Sequence, residues 1–95
     1  MKAVLVSLLL LALVGCTTRL YIPTAANVDK VEKATLAELN QGHDLFQSKC
    51  GKCHRLPKPP SRDAVKWNKV LGIMALKAKL TADQKDLVYK YLVNN

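Results

Sequence analysis

The sequence predicts an all-α domain of three to four helices. Three observations carry this. The segments 35–49, 62–73 and 82–93 repeat apolar residues at three- and four-residue spacing, the period of one helix face. Two of them open on a capping box, Thr35-Leu36-Ala37-Glu38 and Thr81-Ala82-Asp83-Gln84. Beyond the N-terminal apolar run, no stretch alternates apolar and polar residues convincingly as a half-buried strand would. With 95 residues, only 5 % of them aromatic, the chain holds at most one small domain, and that domain needs a staple to supplement its core.

The first element is a leader. Lys2 is followed by mostly apolar residues from Ala3 to Val14 and then by Gly15-Cys16. A positive start, a short apolar run and a small residue at the cut site make residues 1–15 a removable secretory signal. A transmembrane anchor would need about 20 apolar residues. Leu13-Val14-Gly15-Cys16 resembles the bacterial lipoprotein box. That resemblance implies cleavage before Cys16, a diacylglyceryl group on its thiol and an acyl chain on the new amino group. Several acyl chains on one residue suffice for stable anchoring. Thr17 stands where an aspartate would mark retention at the inner membrane, which favours the outer one. Residues 16–34 then form the lipidated N-terminus and a tether. Pro23 breaks that tether, and Val28 to Ala34 reads as a short helix capped by Asn27.

The folded domain is expected over residues 35–95. In its first helix Leu39, Gly42, His43, Phe46 and Cys50 share a face. Glycine inside a helix costs about 1 kcal/mol against alanine, so Gly42 marks a close approach of another element. The helix feeds into Cys50-Gly51-Lys52-Cys53-His54, which spells C-x-x-C-H. This is the pattern of covalent c-type haem attachment. Each thiol can bond one vinyl group of a single haem, which leaves His54 beneath the iron. A thioredoxin-like redox pair would want a βαβ surround. A zinc site wants four ligands, and Cys50, Cys53, His54 and His43 include no second clustered pair. Haem on Cys50 and Cys53 with lipid on Cys16 accounts for all three cysteines.

Arg55-Leu56-Pro57-Lys58-Pro59-Pro60 is a stiff extended loop. A carbonyl in it can accept a hydrogen bond from His54 Nδ1 and fix the ring. Ser61 reads as the cap of a second helix, Arg62 to Ile73. Trp67, Val70, Leu71 and Met74 form its apolar stripe. Once Met1 is gone Met74 is the only methionine, twenty residues after His54, and it is favoured as the sixth iron ligand. His43 is the rival, and a vacant or lysine-filled position is the remaining alternative. The third helix buries Leu87, Val88, Tyr91 and Leu92, with Leu80 as a staple ahead of it.

The formal net charge of +8 falls to +7 when Lys2 leaves with the leader. Lys49, Lys52, Arg55, Lys58, Arg62, Lys66, Lys69, Lys77 and Lys79 flank the expected ligands, suggesting a positive ring that steers an acidic protein partner. No nucleic-acid-binding motif accompanies the charge, and anionic lipid headgroups are secondary contacts.

Gly42-x-x-x-Phe46-x-x-x-Cys50-x-x-Cys53-His54, then Leu56-Pro57, Trp67-x-x-Val70-x-x-x-Met74 and Tyr91-Leu92 resemble the small monohaem class I cytochromes c over about residues 35–95. The resemblance implies helices wrapped around one haem c, with the first and last crossing. It implies Cys50 and Cys53 as thioether positions, His54 and Met74 as axial ligands, and the Pro57 carbonyl as the acceptor for His54. The domain is short for the family, so more haem exposure is expected. The function so implied is single-electron transfer at the periplasmic face of a membrane, with no catalysis and no small-molecule substrate. Two alternatives stay open: a haem subunit of a membrane oxidoreductase complex, and a ligand-sensing haem protein with an open sixth site.

Overall fold

A computed structural model describes residues 20–51 and 56–95 of the chain. Among these residues there are three α-helices and no strand: α1 (Leu36–Leu45), α2 (Ala64–Lys77) and α3 (Ala82–Val93). The expected all-α class is what the described residues adopt. None of these helices is long and apolar enough to cross a membrane.

Each helix begins where a side chain can take up free backbone N–H groups. Thr35 Oγ1 accepts from Glu38 N at 3.1 Å while Glu38 Oε1 accepts from Thr35 N at 3.0 Å. Thr81 and Gln84 repeat the same exchange at 3.1 and 3.0 Å. α2 departs from expectation. Ser61 turns its hydroxyl back on Lys58 O at 2.5 Å, within a 3-10 turn over Pro59–Ser61. The cap is instead Asp63, whose carboxylate accepts from Lys66 N at 2.8 Å. α1 also ends differently from its reading. After Leu45 the backbone widens into a π-helical stretch, Phe46–Cys50, that runs into the C-x-x-C-H motif.

α1 and α3 pack on each other at Gly42. A Cβ there would stand 2.7 Å from Tyr91 Cβ and would also strike the Leu87 carbonyl, so only glycine permits this approach. The core lies between the three helices: Leu39 and Phe46 from α1 and its extension, Trp67 and Leu71 from α2, and Val88, Tyr91 and Leu92 from α3 are all buried. Phe46 meets Trp67 edge-on at 6.2 Å and Tyr91 at the same separation. Removing such side chains from water contributes about 1.5–3 kcal/mol each.

The short helix expected over 28–34 does not form. A 3-10 turn over Ala25–Asn27 is followed by Asp29 at φ 54°, whose carboxylate accepts from Ala34 N at 2.8 Å. Asn27 is spent elsewhere: it accepts from Thr24 N at 2.9 Å and donates to Asn94 O at 2.8 Å. From Leu20 onward, the stretch expected as a tether lies against α3.

Candidate functional site

α2 presents Trp67, Val70, Leu71 and Met74 toward the end of the π-helical stretch, as the i, i+3, i+4, i+7 spacing requires. Trp67 and Leu71 are buried, and Val70 and Met74 half-buried. Opposite them stand Phe46, Cys50, Leu56 and Pro57. Between the two walls is a cavity of about 200 Å³, with Arg62 at its margin. Two of the expected site residues, Cys50 and Met74, therefore line one apolar space.

The proline loop is held to α2 by a bond the sequence did not announce: buried Trp67 Nε1 donates to Pro59 O at 2.9 Å. The Arg62 guanidinium lies 4.9 Å from the centre of the same indole, within cation–π range. Only the loop's proline content hinted at rigidity, and nothing in the local pattern named the indole as its anchor.

Cys50 is a half-buried free thiol, and burial pushes its pKa up. The apolar wall therefore favours the neutral thiol over a thiolate. His43 does not line this cavity. Its Nδ1 lies 2.9 Å from Asp44 Oδ1 and its ring meets the edge of Tyr91 at 5.4 Å. Cys16, Cys53 and His54 lie outside the described residues, as does the expected bond from His54 to Pro57. Among the described residues, no cluster of three His, Cys, Asp or Glu side chains is placed to hold a metal ion.

The lining suits a flat apolar group, and Met74 offers it one soft donor for a metal such as iron. A thiol and a thioether share a cavity whose remaining lining is almost wholly hydrocarbon and aromatic, with few groups to hydrogen-bond a polar substrate. The volume is below the roughly 300–1,000 Å³ of ordinary ligand sites, so it would enclose only part of such a ring.

The positive groups around the site are largely exposed: Lys49, Lys58, Lys66, Lys69, Lys77 and Lys79. Between Lys49 and Leu80 the only acidic residue is Asp63, and it is occupied as a cap. Comparison with family models, with curated proteins and with solved structures finds no match to this chain.

Proposed function

We propose that the protein is a membrane-tethered monohaem c electron carrier. In this reading Cys50 and Cys53 would hold the haem by thioethers, His54 and Met74 would ligate its iron, and Cys16 would carry the lipid anchor. The observation that supports it is the shared apolar cavity of Cys50 and Met74, next to the C-x-x-C-H pentapeptide. When bound, the haem supplies one-electron iron chemistry. The chain does the rest. Phe46, Leu56, Trp67 and Leu71 line the cavity with apolar surface and would keep water from the bound group. The Met74 thioether, a soft and uncharged donor, favours the reduced state and so a raised potential. As an iron ligand Met74 would leave no open coordination site, which disfavours oxygen or peroxide chemistry and an open-site sensor. Exposed lysines guide an acidic redox partner, giving an association that weakens with salt. The protein itself makes and breaks no substrate bond and binds no nucleic acid. Its place is the bacterial cell envelope, facing the periplasm, with the outer membrane favoured by Thr17.

Absorption spectra of the purified protein test this. The reduced protein should show a c-type spectrum that is lost in Cys50→Ala with Cys53→Ala. The ferric protein should show a weak sulfur-to-iron charge-transfer band that disappears in Met74→Ala and persists in His43→Ala. A wild-type protein without that band would remove Met74 as ligand.

A further inference from the structure

The run of chain after Cys16 is fastened to the domain almost at once. Tyr21 stacks on Tyr91 with ring centres 4.4 Å apart and planes 5° from parallel. Each phenol also donates to the other residue's backbone carbonyl, Tyr91 Oη to Tyr21 O at 2.7 Å and Tyr21 Oη to Tyr91 O. Further on, Val31 N and Glu32 N donate to Asn94 Oδ1 at 2.7 and 3.0 Å. Pro23 and Ala34 are buried along the way. This is a strap, docked from Leu20, and only Thr17, Thr18 and Arg19 separate it from Cys16.

Chain length then decides how far the domain can stand from an anchor at Cys16. Four residue steps, fully extended, span about 14 Å. A chain free as far as Thr35 would span about 65 Å. Leu20 and Ile22 line an open groove of about 490 Å³ together with Thr24, Asn27, Lys58 and Pro60. Ile22 is 67 % exposed although the strap around it is docked.

We propose that this groove face rests on the phospholipid surface in which the Cys16 acyl chains are embedded, so that the domain is clamped to the membrane and does not swing on a leash. The proposal rests on the lipid-anchor reading of Cys16. The few residues between Cys16 and the strap bring Leu20 and Ile22 to the headgroup layer, where Ile22 meets the acyl boundary and Lys58 the lipid phosphates. A clamped domain exchanges electrons with partners in or on the same membrane.

The full chain, produced in a lipidating bacterium and placed in phosphatidylethanolamine–phosphatidylglycerol nanodiscs containing a gadolinium-chelate lipid, tests this by NMR of the reduced protein. Amide signals of Leu20, Ile22 and Lys58 should be broadened most. A long Gly-Ser linker inserted after Thr18 should cut that broadening by more than half and even it out over the surface. Strongest broadening on another face, or even broadening in wild type, overturns the clamp. An unchanged pattern in the linker variant overturns the short strap as its cause. Mass spectrometry of the N-terminal peptide separates the two readings: unacylated Cys16 removes the anchor and the clamp with it, whereas acylated Cys16 with even broadening removes the clamp alone.

Discussion

Glu38 serves two elements at once. It completes the cap of α1 through Thr35, and its Oε2 accepts from Lys90 Nζ of α3 at 2.7 Å. Lys90 also reaches Asp86 at 3.1 Å. The hydrogen bond from Lys90, followed by that from the Thr35 backbone, holds the Glu38 carboxyl at about 2, and the same contact raises Lys90. A depressed carboxyl stabilises the fold above its unfolded pKa, near 4.3, and loses that contribution as pH falls toward 2. Lys90 works with the opposite sign and loses its share only in alkali. The pair is partly exposed, so its effect is modest. Glu38→Gln keeps the capping box and removes the charge. Its urea midpoint should fall less than that of wild type between about pH 5 and pH 2.5. Equal falls in the two proteins would exclude Glu38 as a source of acid sensitivity. The cap was legible because its partners are three residues apart; Lys90 was not, because the pair closes over 52 residues.

At the scale of elements, the sequence carried what local chemistry decides. Both capping boxes formed, and the glycine in α1 sits at the approach of α3. The ends of α2 were misjudged for two physical reasons. At its start two candidate caps compete, and the carboxylate of Asp63 prevails because the Ser61 hydroxyl is already bonded to Lys58. At its end the helix was expected to stop at Ile73, and no glycine stands at the actual stop to mark it. It runs on to Lys77 and closes with a Schellman arrangement, Leu80 N to Ala75 O at 2.9 Å and Lys79 N to Leu76 O at 3.2 Å. Lys79 takes the left-handed position, φ 57°, that glycine usually fills. Met74 thus lies within the last turns of α2 and not at its exit. The α1–α3 contact gives a sharp prediction. Gly42→Ala gains about 1 kcal/mol in helix propensity but must push α1 away from Leu87 and Tyr91. Overpacking at a backbone contact outweighs that gain, and the net loss should be about 1–3 kcal/mol. Urea unfolding measures it, and a variant as stable as wild type would mean that α1 and α3 can separate at little cost.

For the whole molecule, Asn94 is the residue on which the N-terminal strap closes. It is fully buried one position from the C-terminus and uses both ends of its amide. Oδ1 accepts from Val31 N and Glu32 N, and Nδ2 donates to Glu32 O at 3.0 Å and Lys90 O at 2.8 Å. Asn27 Nδ2 and Lys30 Nζ hold the neighbouring carbonyls of Asn94 and Asn95, both at 2.8 Å. None of this was legible beforehand. An asparagine after a helix reads as a C-terminal cap, and the partners that make it a latch lie more than 60 residues upstream. Tertiary bonding here overrides local helix tendency, because Val31 and Glu32 donate to Asn94 and not along a helix of their own. Asn94→Ala leaves two backbone N–H groups without a partner in a part-buried site, at about 1–3 kcal/mol each. Val31 and Glu32 are themselves exposed, so the lower part of that range applies: about 2–4 kcal/mol of strap stability should be lost, and hydrogen exchange at the two residues should quicken about 30- to 1,000-fold. Amides of Trp67 and Leu71, held within α2, should change far less if the strap opens on its own. Unchanged exchange at Val31 and Glu32 would show that the Asn94 amide is not what closes the strap. Equal acceleration at all four would make the strap and the cavity-side core one cooperative unit. In that case loosening the strap would also loosen the cavity that Cys50 and Met74 share.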